Sequence, residues 1–359
     1  TLQFGATQTF TIANTLTLTG TAGNLITLDR SGGSGGQQFA FSTSSPQTVS
    51  YVNVINSQVL GSSDITANTS TQGANTDAGS GSPQWVFPGA PISIAGSCKQ
   101  YDQTTNCANS QTVRVAVNGT LQGQTTTTAS GAFTITGVTA PATGDIITVF
   151  LDNVANANEA VAVTKYDGSG NIAGLLLYED HLTVGSDDNQ SLTNANLGSY
   201  DNSVSGDEDV FFEHNVASFT CDGVASSTGL CVDGTGQSTQ DRLFIKAANT
   251  LTPGGNIRTA KLQIAGTYTG GTETLTLNGS GTGSAGPLVV SGAFTANTNT
   301  VLYEGSSQSE VATLTYHHLG MGTIVDANAV SYIPTTGTVT VQGNLTVGNA
   351  TDSVSDTFN

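Results

Sequence analysis

Charge is scarce in this chain of 359 residues, with Asp, Glu, Lys and Arg together making up 9%. Bases are scarcer still, 8 Lys and Arg against 26 Asp and Glu, for a formal net charge of −18. So few scattered cations cannot build the basic patch that neutralises a phosphate backbone, which excludes nucleic-acid binding. A disordered acidic chain would carry more charge and fewer aliphatic residues, so that class is excluded too. No run of about 20 apolar residues is present, so no segment reads as a membrane-spanning helix. No basic-then-apolar leader is seen, and the chain opens on Thr1 without Met; the expectation is a mature product whose leader has been removed. No Gly-x-Ser-x-Gly elbow occurs, and amphipathic helical periodicity is missing.

What is present is Thr, Ser, Asn and Gly, with aliphatic residues set between Thr one at a time. That period of two is the signature of half-buried strands, and the fold class it implies is all-β. The length exceeds what one core usually serves, so two or three domains are expected.

The four cysteines form two local pairs, Cys98/Cys107 and Cys221/Cys231, each bracketing a polar loop. Neither pair has the tight spacing and nearby His of a metal site. Two local disulfides are expected, each stabilising by roughly 2.5–3 kcal/mol in the chain-entropy model. Four buried free thiols are the alternative. Disulfides would place the protein outside a reducing cytosol.

Four segments differ in character. Residues 1–88 carry short alternating runs separated by "SGGSGG" and Asn-rich turns, closing on "SPQWVFPG" with the lone Trp85, which reads as a core plug. Residues 89–190 hold about seven strands at ten-residue intervals, among them "TVRVAV" and "GDIITVFLD", the pattern of an antiparallel sandwich. Residues 191–240 form an acidic connector with the second Cys pair. Residues 241–359 return to the first character. There "AGTYTGGTETLTLNG" (265–279) and "SGAFTANTNTVLYEG" (291–305) align without gaps, an internal repeat of the length of one coil.

The end blocks, with "FTIANTLTLTGTAGNLITL" and "VTVQGNLTVGN", resemble the Thr/Asn/Gly-rich β-solenoid repeats of large bacterial surface proteins, the filamentous-haemagglutinin and autotransporter type. The 89–190 block resembles the immunoglobulin-like or carboxypeptidase-regulatory-like sandwiches inserted in such proteins. The resemblance implies β-solenoid or stacked-sheet blocks flanking a sandwich, and an extracellular or cell-surface scaffold. It carries no site residues.

Catalysis finds little to work with. Glycoside hydrolysis needs two carboxylates facing one cleft. The candidates are Glu179, Asp180, Asp207, Glu208, Asp209 and Glu213, and the run 207–209 reads as a solvated turn. Arg258 and Lys261, the bases within the repeats, read as surface groups on a rung. His317 and His318 alternate across a strand, so their rings are expected on opposite faces. No enzyme, catalytic residue or cofactor is expected. A structural Ca²⁺ is the weak exception, with Asp187, Asp188, Asp201 and Asp207 as ligands.

The two ends of the chain match. Thr11, Leu16 and Thr17 of "FTIANTLTL" recur as Thr340, Leu345 and Thr346 of "VTVQGNLTV". Both ends lack the Pro or helical cap that blunts a sheet edge, and both read as interior rungs. The expectation is a homopolymer that grows head to tail by β-strand addition. Val339, Val341, Leu345 and Val347 would be the donor residues; Phe4, Phe10, Ile12, Leu16 and Leu18 would line the acceptor. The alternative is an adhesin or carbohydrate-binding fragment of a larger surface protein, with surface glycans or a neighbouring cell as partner.

Overall fold

A computed structural model describes residues 1–78, 82–89, 91–154, 158–185, 190–214, 220–221, 224–225, 229–232, 242–323, 329–349 and 355–359. The fold is nearly all-β, and among the described residues the helical elements are short turns such as Asn194–Leu197 and Asn202–Ser205. It divides into two compact units: residues 1–92 with 137–140, and residues 93–136 with 141–359.

In the first unit three small sheets are visited in turn. One orders Leu2–Gly5, Ile26–Ser31, Val52–Val54 and Thr71–Gln72; a second Thr9–Ile12, Phe39–Thr43 and Ser57–Gly61; a third Gln47–Ser50, Ile65–Asn68 and Trp85–Val86. Every pairing among them is parallel, so each circuit of the chain lays a rung on the one before. Parallel register often puts like on like: Phe10 lies over Phe41 and Thr48 over Thr66. The inward side chains, Leu28, Phe39, Phe41, Val54, Ile65 and Trp85 among them, make one core. Its aromatics form a continuous column, Phe4 stacked on Phe39 at 4.5 Å and Phe41 edge-on to Trp85 at 6.0 Å. Trp85 is fully buried, and its indole N–H donates to Ser57 Oγ at 3.0 Å.

The Asn content is explained at the corners. Turning from one sheet to the next requires left-handed backbone, and Asn56 (φ 52°) and Asn75 (φ 55°) supply it. Their side chains then bond along the stack: Asn75 Nδ2 donates to Asn56 Oδ1 at 3.0 Å, and Asn56 Nδ2 donates to Asp29 Oδ1 at 2.9 Å. One residue type thus serves both the corner and the contact between rungs.

The second unit begins antiparallel. Thr120–Thr126, Thr112–Val117, Ile146–Asp152 and Ala160–Lys165 pair in that order as an antiparallel leaf. The same sheet then continues with parallel strands, His181–Val184, Arg242–Ile245, Lys261–Ile264 and Leu288–Val290. It therefore runs across the limits drawn at 190 and 240. The strand Ala160–Lys165 allows this because it is buried at every position from Ala160 to Thr164, and so carries a partner on each edge. Of the acidic connector, Leu192, Leu197, Val210, Phe211 and Phe212 lie in the core of this unit.

The 26-residue repeat is the spacing of paired strands. Tyr268 pairs with Phe294 and Thr274 with Thr300, and the Tyr268 and Phe294 rings stack at 5.3 Å. The matched glycines have a steric reason. A Cβ on Gly292 would run into the Gly266 carbonyl oxygen, and one on Gly266 into the Asn249 carbonyl oxygen.

Trp85 is the only tryptophan, so its fluorescence reports unfolding of the first unit. Asn56→Gly keeps the corner but loses two side-chain hydrogen bonds, for a cost of about 1–3 kcal/mol. Asn56→Ala also meets the left-handed penalty, roughly 1–2 kcal/mol more. Urea titrations followed at Trp85 should rank wild type, Gly and Ala in that order; equal midpoints for Gly and Ala would show that the corner does not limit the position.

Candidate functional site

The first rung of the first unit and the last rung of the second carry the residues expected to meet in a polymer. Among the described residues Leu2–Gly5 and Thr9–Ile12 each pair on one edge, with Ile26–Ser31 and Phe39–Thr43. Phe4, Ile12, Leu16 and Leu18 are half-buried against their own core, and Phe10 is 36% exposed. Leu16 is fixed from below, its N–H donating to Gln47 Oε1 at 2.7 Å.

At the other end Leu345–Val347 pairs on one edge with His318–Met321, and Thr340–Val341 pairs with Thr315–Tyr316. The four donor residues divide here. Val339 and Val341 are half-buried against their own core, whereas Leu345 and Val347 are 51% and 41% exposed. Among the described residues, eight large apolar side chains are exposed; Leu2, Phe10, Leu345 and Val347 are four of them. Leu2 was not singled out in the sequence, although it shares the alternation of Phe4.

Of the four calcium candidates, two lie among the described residues. Asp187 and Asp188 lie outside the described residues. Asp201 is a buried helix cap, its carboxylate accepting from Val204 N at 3.0 Å and His214 N at 2.9 Å. Asp207 instead meets Asp209 and Asp152, their carboxylate oxygens within 4.8 Å of one another. Such a group could hold a hard cation. Asp152 belongs to the antiparallel leaf, where Arg114 Nε sits 3.1 Å from it; no local spacing could reveal this meeting.

Two other expectations need correction. The run 207–209 is not wholly solvated: Asp209 is buried, and its carboxylate accepts from Asn153 N at 2.6 Å. His317 and His318 do not point apart, since their ring centroids are 4.4 Å from each other. His317 lies at a bend before the strand His318–Met321, so alternation does not apply to it.

The Cys98–Cys107 disulfide is present, with Cα atoms 5.4 Å apart. Cys231 is also disulfide-bonded, and the side chain of Cys221 lies outside the described residues. The loop that Cys98 and Cys107 close is ordered from within: the Asp102 carboxylate accepts from the N–H groups of Thr104 and Thr105, both at 2.8 Å.

Several acids are held against ionisation. Burial pushes Glu179 up to about 7, helped by Asp180 and Asp102, and pushes Asp180 up to about 6. Glu213 also rises to about 7, through burial and then Asp201. His181 moves the other way, down to about 3, chiefly through burial and further through Arg242 and Lys261. No protein family, curated protein or solved structure matches the chain.

These shifts give a pH dependence with a definite sign. Between about 4.5 and 7 the folded chain keeps protons on Glu179 and Glu213 that the unfolded chain has released, and Asp180 does so up to about 6. Stability from these groups is full below that window and is lost as pH rises through it. His181 opposes them, losing stability as pH falls from 6.5 towards 3. Three carboxylates outweigh one imidazole, so the melting temperature at pH 5 should exceed that at pH 7.5. Glu179→Gln should flatten the slope in circular-dichroism melts; a melting temperature that climbs with pH would contradict the assignment.

Removing the Cys98–Cys107 bridge by a double Ala substitution should destabilise the second unit by about 2–4 kcal/mol. Guanidinium titration followed by far-ultraviolet circular dichroism, the Trp85 signal of the first unit staying unchanged, checks it.

Proposed function

We propose that the chain is a structural subunit of an extracellular filament, joined head to tail through its outermost rungs. We read the stacked parallel rungs as β-solenoid blocks and the antiparallel leaf as an immunoglobulin-like sandwich between them. The observation that carries the reading is the pairing of exposed apolar residues with unpaired strand edges: Leu2 and Phe10 on one rung, Leu345 and Val347 on the other. An edge of this kind is a template for a further strand, and alternating side chains fix the register of what adds to it. Contact between two different surfaces makes a fibre when its rotation does not close into a ring.

Val339 and Val341 remain on their own core in this arrangement, and Leu345 and Val347 supply the face that covers Phe4, Phe10, Ile12, Leu16 and Leu18. The disulfide supports an oxidising location outside the cytosol. A rung-on-rung joint with little charge to screen would also hold across a wide range of salt.

Negative-stain electron microscopy of the chain beside Leu345→Asp/Val347→Asp tests this. Both positions are exposed, so the variant should keep its circular-dichroism spectrum and melting temperature. Filaments from the wild type and monomers from the variant are expected. Monodisperse particles from both would overturn the polymer and favour an adhesin fragment of a larger surface protein.

A further inference from the structure

Cations are rare here, yet two of the eight meet in the interior. Arg242 and Lys261 are directly paired on adjacent parallel strands, and are 7% and 6% exposed. Among the described residues no carboxylate lies within ion-pair distance of either. Both reach the same phenol: Arg242 Nη2 donates to Tyr101 Oη at 3.1 Å and Lys261 Nζ at 3.4 Å. Both also lie over its ring, 5.2 Å and 6.0 Å from the centroid. Arg242 Nη1 donates to Gln263 Oε1 at 2.5 Å, while its buried Nε has no hydrogen-bond partner.

Two like charges side by side and out of water are costly unless a counter-charge is near. Among the described residues the wall offers none suited to them. Asp102 is turned to its own loop, where it also accepts from Thr105 Oγ1 at 2.6 Å. His181 lies behind, its Nε2 3.2 Å from Gln103 Nε2, and its ring is held neutral by burial. In front of the two cations opens a cavity of about 380 Å³, bordered by Tyr101, Gln103, Gln263 and the loop at Ser284, with Asp102 at its edge. The disulfide-closed loop 98–107 thus forms one lip, carrying Tyr101 and Gln103 to the site.

We propose that this cavity binds the oxyanion group of a small molecule: a phosphate or sulfate ester, or a sugar carboxylate. The guanidinium and ammonium groups neutralise the anion, and Gln103 and Gln263 take hydroxyl groups of its carrier. The volume exceeds what a bare inorganic ion needs and suits a monosaccharide-sized ligand. The sequence concealed this site because Tyr101, Arg242 and Lys261 come from three separate segments, and because Lys261 reads as a surface base on a rung. The inference is independent of the filament reading, since the strands Arg242–Ile245 and Lys261–Ile264 are paired on both edges and lie on no outermost rung.

Calorimetric titration of the full chain, prepared free of phosphate and sulfate at low ionic strength, tests it. The probes are inorganic phosphate, sulfate and glucuronate. At least one should bind saturably at one site per chain; preference for the first two indicates an ester ligand, and for the third a sugar acid. Lys261→Met should weaken binding at least tenfold and Arg242→Gln should abolish it, with Lys165→Met unchanged. Should either variant fail to fold, amide shifts in the wild type decide: they should concentrate at 101–103, 242 and 261–263 on titration. No saturable binding of any probe, binding unchanged in both folded variants, or shifts centred elsewhere would overturn the proposal.

Discussion

In-register parallel pairing is the constraint on which everything else in this protein rests. Once a strand lies parallel on its predecessor, each side chain meets its register partner one rung away, and residues that stack well on their like are favoured there. Apolar stacks such as Phe10 over Phe41 and Tyr268 over Phe294 follow from this, and the Asp29, Asn56, Asn75 ladder accompanies it at a corner. Charge is suppressed by the same rule, because a column of identical charges repels itself. The chain's low charge is thus a condition of its architecture.

The rule also makes the exceptions informative. Arg258 stands in a stacked position, and Glu304 meets it at 3.2 Å. Arg242 and Lys261 stand in stacked positions with no such partner, which makes their site chemically distinct from the rungs around it. Tyr303 and Tyr316, fully buried, answer the rule differently by sharing a hydrogen bond between hydroxyls at 2.9 Å.

What could be read in the sequence was what repeats or alternates. Tyr268 and Phe294, 26 residues apart in matching words, are neighbours in the stack because the repeat and the register are one periodicity. The strands of 89–190 could be seen one by one. Their continuation into the parallel ladder could not, since nothing local records which strand lies on the far edge of Ala160–Lys165. The same limit hid the Asp152, Asp207 and Asp209 cluster and the cavity beside Tyr101. Each assembles across more than fifty residues of chain, through tertiary contacts that leave no spacing behind. The His317 and His318 pair failed for a smaller reason, a bend where alternation was assumed.

The corner "SGGSGG" has a further consequence. Gly32, Gly35 and Gly36 stand in open space, with no atom within 4 Å of where a side chain would begin, while the strands on either side are locked into the stack. The rungs fix the two ends of the loop, and within it Gly33 alone of the four glycines is crowded, against Gln37 and Ala6. New sequence is therefore best grafted at Gly35, which has open space and no left-handed backbone to satisfy. A column built this way separates inheritance from display: its interior changes only in step from rung to rung, whereas its corners can diversify one at a time.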